Sequence, residues 1–308
     1  MIVTVTPNPS LDRTVRVDRL VVGGLNRAHT AFSEAGGKGV NVSRALTTEG
    51  VESIAVLPLP SASAVEYLGL LGDDVRIAAV PIDGSMRVNT SIIEANGTMT
   101  KLNEPGARLD GADADAIIAA AGAAAQTGWI VGCGSLPPGS PRDLYLRLAK
   151  LAASDRRVAI DSSGDALATA IGGGISLAKP NREELEELAG TALTTLGDVV
   201  AAARAVIARG CAAVLVSLGR DGAVFVDAKR AAHAEARIAD AANPVGAGDA
   251  LLAGFLAAGA RVEALPVAVA WAVAAVRSPG TRMRAVTEAD RAAVTVREPL
   301  DLGRRLAT

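Results

Sequence analysis

From Asp110 onward the chain changes its hydrophobic period again and again, and this alternation constrains the fold more than any other feature. "ADADAIIAAAGAAAQTG" has helical spacing and is followed by the short apolar run "WIVGCG"; "SPRDLYLRLAKLAASD" is helical again and gives way to "RVAIDSS". Ser140 and Pro141 supply the cap and first-turn proline expected where that second helix would begin. "REELEELAG" and "GDVVAAARAVIARG" continue the helical set before the β-rich "AAVLVSLG". Strands alternating with helices predict an α/β fold whose mostly parallel sheet is covered by helices on both faces.

The first hundred residues read differently. Residues 1–6 favour an extended backbone, which "PNPS" stops. "NVSRALTTEG" predicts a helix with a glycine stop, and "SIAVLPL" a strand. The polar stretch from Leu11 to Ala28 has period-two pieces, and "RIAAVPIDGSMRVNTSIIEANGTMTKLNEPG" breaks at Asp83-Gly84 and Asn96-Gly97, the second a tight hairpin signal. These polar strands, expected within 12–30 and 86–104, would pair into a small sheet outside the main body, placed like a lid. Without a repeat or a low-complexity linker, residues 1–308 read as a single domain.

Composition narrows the partners. A formal net charge of −2, scattered basic residues and 2% aromatics give neither an electrostatic footprint nor a stacking platform for nucleic acid. Cys133 and Cys211 lie far apart in apolar surroundings and read as buried free thiols in a reducing compartment. The N-terminus lacks the pattern of a signal peptide, and "EALPVAVAWAVAAV" is short, contains Pro266 and reads as a buried helix, so a cytoplasmic protein with no membrane partner is expected. His29 and His233 have no ligating neighbours in sequence, and Leu251 stands where a dinucleotide fingerprint needs its last glycine, so zinc and nicotinamide chemistry recede.

Several stretches could carry chemistry, each beside a plainer reading. In "NPVGAGDALLAGF", Gly246, Ala247 and Gly248 can turn backbone amides towards an anion at a helix start, and Asp249 can accept a proton from a hydroxyl; Asp249 can equally be a helix cap. A helix N-terminus should hold the pKa of Asp249 down. In "EAGGKGVNVSRAL", Gly37 permits close backbone approach while Lys38 and Asn41 can donate to phosphate or sugar oxygens, against the alternative of a flexible turn. Arg27, Arg87, Asn89, Lys101 and Asn103 could converge on a phosphate or stay solvated on edge strands. In "KPNREELEELAG", Asn181 and Glu184 have the spacing to organise a hydrated Mg²⁺, and also the spacing of a capping box. Ser217 and Gly219 end a strand where open α/β sheets bind ligands, or merely connect two strands.

Taken in order, "NPSLD", "GGKGVNVSR", "KLNEPG", "GSLPPG", "KPNREEL", "VSLGRDGA" and "VGAGDALLAGF" resemble the PfkB group of ribokinase-like carbohydrate kinases, in the branch of the bacterial 1-phosphofructokinases and tagatose-6-phosphate kinases. The resemblance spans almost the whole chain. It implies a three-layer α/β/α core with a small β lid, pairing of two copies through the lids, and ATP- and Mg²⁺-dependent phosphorylation of a phosphorylated ketohexose. Asp249 would be the general base and Gly246–Gly248 the anion hole. Asp12, Gly37, Lys38 and Asn41 would bind the sugar, with Asn89, Lys101 and Asn103 on the same side and Arg27 and Arg87 for its phosphate. Asn181 and Glu184 would organise Mg²⁺ through water. Lys179, Ser217 and Gly219 would lie beside ATP, as would Gly280 in "VRSPGT", together with Gly246 and Gly248. Fructose 1-phosphate is the first expected substrate, giving fructose 1,6-bisphosphate; tagatose 6-phosphate and fructose 6-phosphate are the alternatives. A sugar-phosphate-binding regulator without turnover is the reading from another class.

Overall fold

The strands, in chain order, are Ile2–Val5 (β1), Ser10–Val17 (β2), Thr30–Gly36 (β3), Ser53–Pro60 (β4), Ile77–Ile82 (β5), Arg87–Glu94 (β6), Met99–Asn103 (β7), Gly128–Cys133 (β8), Arg156–Asp161 (β9), Leu177–Ala178 (β10), Ala213–Ser217 (β11), Ala223–Asp227 (β12), Ala231–Ala236 (β13) and Val294–Arg297 (β14). The helices are Lys38–Thr48 (α1), Ala64–Leu71 (α2), Gly111–Ala124 (α3), Leu144–Ala149 (α4), Gly164–Ile171 (α5), Arg182–Ala189 (α6), Leu196–Ala208 (α7), Ala247–Ala257 (α8), Leu265–Val276 (α9) and Glu288–Ala292 (α10). This computed structural model describes residues 1–238, 245–278, 282–297 and 299–307.

Ten strands form one sheet in the order β14-β13-β12-β11-β10-β9-β8-β1-β4-β5. From β5 to β11 every pairing is parallel; β12, β13 and β14 then add antiparallel at one edge. Alternate side chains divide between two cores. Val3, Ile130, Val158 and Val214 pack with α3 to α7 on one face, and Ile2, Trp129, Ala159 and Leu215 pack with α1, α8 and α9 on the other. Each fully buried Val, Ile or Leu contributes roughly 1.5–3 kcal/mol of hydrophobic stabilisation. The result is a mostly parallel sheet with helices on both faces, as the alternation predicts.

A second sheet, in the order β3-β2-β6-β7, accompanies it. The hairpin between β6 and β7 turns through Asn96-Gly97, with Gly97 at φ 87°. On the N-terminal side, β2 starts at Ser10, and β3 runs from Thr30 to Gly36, on the far side of residue 30. Because β1 leads directly into β2, and β3 into α1, this sheet rises from the C-terminal edge of the main sheet.

The helix start at Ser140-Pro141 does not form. The α4 helix begins at Leu144 with Asp143 before it, and neither Ser140 nor Asp143 makes a side-chain cap. Residues 137–140 are already committed to a turn, the Ser140 amide donating to the Pro137 carbonyl while the Leu109 amide donates to Pro138. Further along, α9 is the apolar stretch around Trp271, buried against the sheet. Among the described residues no helix is long and apolar enough to cross a membrane, and Cys133 and Cys211 are both free and buried.

Candidate functional site

Open parallel sheets leave their ligand crevice beyond the strand C-termini, and here that edge carries most of the charged candidates. Asp161 is the last residue of β9, in register with Cys133 at the end of β8. Lys179 follows β10, its amide donating to the Ile160 carbonyl at 2.9 Å. Ser217 ends β11, bonds to the Pro180 carbonyl at 3.1 Å and lies beside Asn181. Lys38 opens α1, directly after β3 and Gly37. Gly37 has φ 128°, and a Cβ there would stand 2.8 Å from Thr6 Cγ2, so only glycine lets this loop press against the end of β1. Its neighbour Gly36 leaves room for the Asp12 carboxylate.

Two lysines converge on one buried acid. Asp161, with a fully buried side chain, places Oδ1 3.0 Å from Lys38 Nζ and Oδ2 3.2 Å from Lys179 Nζ. Burial pushes the Asp161 pKa up, but Lys179 and Lys38 outweigh it and hold the group below the usual carboxylate range. The Lys38 ammonium is held well above its ordinary value, chiefly by Asp161 against its own burial, and Glu184 Oε1 lies 3.8 Å away. Lys179 Nζ comes within 3.7 Å of where a Cβ on Gly248 would stand, which puts its charge at the head of α8.

That helix starts at Ala247, with Gly246 at its cap position in the left-handed region at φ 81° and no side chain capping it. Asp249 is therefore the third residue of the helix, and its reading as a cap does not hold. Its side chain turns inward instead: it is 7% exposed, and Asn41 Nδ2 of α1 donates to its Oδ2 at 2.9 Å. The expected depression of its pKa is reversed. Burial first, then the like charge of Asp161, raise it to about 6, against Lys38, the Asn41 hydrogen bond and Lys179. A helix terminus acts only within its first turn and is modest in size, whereas full desolvation can shift a carboxyl by several units.

The second sheet gathers another group. Glu34, Asp12, Asn89 and Asn103 stand in one row across β3, β2, β6 and β7, so their side chains share a face; Lys101, in the next same-face row opposite Ser91, joins them. Ser10 Oγ donates to Asp12 Oδ1 at 2.8 Å, and Asn89 Nδ2 donates to the same oxygen at 3.1 Å. Arg87 reaches this end of the sheet, but its guanidinium donates to the carbonyls of Asn8 at 2.9 Å and Pro9 at 3.4 Å. Arg27 is not brought in: it is exposed in the loop beyond Thr30, which pairs with Arg16, at the end of the sheet remote from Asp12.

Asn181 and Glu184 form the capping box of α6. Asn181 Oδ1 accepts from the Glu184 amide at 2.7 Å, and Glu184 Oε2 accepts from the Asn181 amide at 2.9 Å. Glu184 Oε1 remains on the Lys38 side. Gly219, at φ 59°, opens a short turn after β11. Gly280, together with Asn243 and Pro244, lies outside the described residues. Sequence reasoning missed Asp161, although an acid ending an apolar parallel strand is a usable signal.

Known proteins resemble this chain over nearly its whole length. The chain is 36% identical over 298 residues to the 1-phosphofructokinase of Haloferax volcanii, covering 92% of this chain and 93% of that one. It is 33% identical over 291 residues to the ATP-dependent 6-phosphofructokinase isozyme 2 of Escherichia coli, covering 92% and 94%. The crystal structure of phosphofructokinase-2 from Escherichia coli in complex with substrates and products superposes with a TM-score of 0.84 at 30% identity, covering 94% of this chain and 97% of that one. The pattern of the pfkB family carbohydrate kinases matches residues 6–288, and with this the chain belongs to that family.

Proposed function

We propose that the protein transfers the γ-phosphoryl group of ATP to the C6 hydroxyl of fructose 1-phosphate, with Asp249 as general base. The observation that carries this reading is the Asp249 carboxylate: uncapped, buried at a helix start and raised to about 6, it is ionised at neutral pH yet basic enough to take a proton from an alcohol. The hydroxyl approaches Asp249 from the Asn41 side and gives up its proton as the oxygen bonds to phosphorus. The first amides of α8, at Ala247, Gly248 and Asp249, have no acceptor within the helix and face the growing charge, with Lys179 and Lys38 beside them.

Asp12, Asn89, Asn103 and Lys101, on one face of the second sheet, would hold the sugar phosphate over this edge, with Gly37 at its base. Arg87 would act there mainly by holding the Asn8–Pro9 turn in place. Lys179, Ser217 and Gly219 fall to the nucleotide side. Glu184 has one carboxylate oxygen left over from its cap, and among the described residues no three metal-ligating side chains cluster. That donor set suits Mg²⁺, which keeps several waters and takes its remaining ligands from phosphates. Glu184 and Asn181 would hold it through water, and when bound it neutralises phosphoryl charge. Phe32, exposed on the second sheet, and Leu25 in the adjoining loop support pairing of two copies there.

Fructose 6-phosphate is the second reading, favoured by the match to the Escherichia coli 6-phosphofructokinase isozyme. Purified protein assayed with ATP, Mg²⁺ and each of fructose 1-phosphate, fructose 6-phosphate and tagatose 6-phosphate separates them. The highest kcat/KM is expected with fructose 1-phosphate. A preference for either other ester reassigns the substrate, and ligand binding without turnover of any of them would mark a sensor.

A further inference from the structure

Asp161 has no part in the reaction just described, yet it is the most completely buried charge at the sheet edge. Its two oxygens are divided between two ammonium groups that come from unconnected parts of the chain. Lys38 belongs to the glycine loop on the sugar side, and Lys179 to the strand end that meets Gly248 at the head of α8. Removing a carboxylate from water is costly unless it is paired, and this one is paired twice. Lysine side chains are otherwise flexible, with a strongly hydrated terminal charge.

Resting on the proposed kinase reading, we infer that Asp161 is a positioning residue, fixing the ammonium groups of Lys38 and Lys179 where the migrating phosphoryl group passes between nucleotide and sugar. It touches neither reactant and acts through the lysines. Without it the two like charges repel each other and swing away, Lys38 towards solvent, where its side chain is already partly exposed, and towards Glu184. Displacing charge-stabilising groups by about 1 Å is enough to cost on the order of 10²-fold in rate.

The test uses Asp161→Asn, nearly the same size but uncharged, in the full chain with Mg-ATP and both fructose 1-phosphate and fructose 6-phosphate. Expected is a fall in kcat of about 10²-fold with KM for ATP and sugar within about threefold, since the lysines act on charge that develops in transit. The double variant Asp161→Asn/Lys179→Gln should lose less than the product of the two single losses, because the part of the Asp161 effect that runs through Lys179 is already gone and groups acting as a unit are not additive. A kcat for Asp161→Asn within threefold of wild type, or losses that multiply in the double variant, would overturn the role. The crystal structure of Asp161→Asn supplies a readout independent of turnover. At least one lysine Nζ should move by about 1 Å or more, and both remaining within about 0.5 Å of their wild-type places overturns the inference even if neither sugar proves to be the substrate. A wild-type enzyme inactive on both sugars counts against the kinase reading alone.

Discussion

Two helix starts at the same sheet edge carry an acid at the same position and treat it in opposite ways. In α6 the third residue, Glu184, folds back to close a capping box with Asn181. In α8 the third residue, Asp249, has only glycine before the helix, cannot close such a box and is driven inward beside Asn41. The α3, α7 and α10 helices follow α6, each with a boxed acid at that place. Among the described residues α2 and α8 leave the acid at that place outside a box: in α2 the Ser63 hydroxyl accepts from the Met86 amide instead and Glu66 stays exposed, whereas in α8 the acid is buried. The residue at the cap decides the outcome: Asn, Asp or Thr offers a side chain to the third amide, and Gly246 offers none. A carboxylate freed in this way bears the full cost of burial and the repulsion of Asp161, and the same cost makes it a better base.

The comparison breaks most directly at Asp249→Asn. General-base removal typically costs 10²–10⁴-fold, so kcat should fall by about 10³-fold with KM values within a few-fold, measured under saturating Mg-ATP. A near-normal kcat would end the distinction between the two helix starts.

Stability should move the opposite way. A folded-state pKa raised from 3.8 to about 6 means that the protonated form stabilises the fold. That contribution is fully present below about pH 4 and is lost as pH rises through 6, so above pH 6 the ionised Asp249 is a burden. Asp249→Asn should therefore gain on the order of 2 kcal/mol at pH 8 in urea unfolding, with the gap to wild type closing near pH 4. Glu184→Ala, which opens the cap of α6, should instead lose about 1 kcal/mol. Equal signs for the two variants would show that the acids are used alike.

Catalysis by wild type should share that titration. The kcat/KM profile is expected to fall on the acid side around pH 6, as Asp249 gains its proton. The residual activity of Asp161→Asn should show this limb at lower pH, because the like charge that raises Asp249 is gone. A limb left in place, or moved upward, would mean that another group sets it.

How much of this could be read from residues alone depends on the range of the interaction that decides it. The layered core was legible because period and turn chemistry are local, and so was the Asn181–Glu184 box, a matter of three-residue spacing. The convergence on Asp161 was not, because Lys38 stands 123 residues away at the start of α1 and Lys179 is brought alongside only by the register of β9 and β10. The pKa of Asp249 was misjudged for a related reason: the helix terminus is visible in sequence, whereas the burial and the neighbouring charge that outweigh it are tertiary. Arg27 and Arg87 looked equivalent as basic residues on strands. Strand register separates them, leaving one exposed at the far end of the second sheet and turning the other onto the carbonyls of Asn8 and Pro9.

The smallest expected effect concerns a helix start that looked capped and is not. In sequence, Ser140-Pro141 is as good a start signal as Asn181-Arg182, yet the Ser140 hydroxyl is shut away from solvent with no partner and α4 begins at Leu144. Were Ser140 a cap, Ser140→Ala would cost about 1 kcal/mol, as Asn181→Ala should. An unbonded hydroxyl contributes nothing to lose and carries a desolvation cost, so Ser140→Ala is expected within about 0.5 kcal/mol of wild type, or slightly more stable. Matched urea midpoints for the two variants decide it: a cost for Ser140→Ala equal to that of Asn181→Ala would restore the longer helix and show that the 137–140 turn does not preclude a cap.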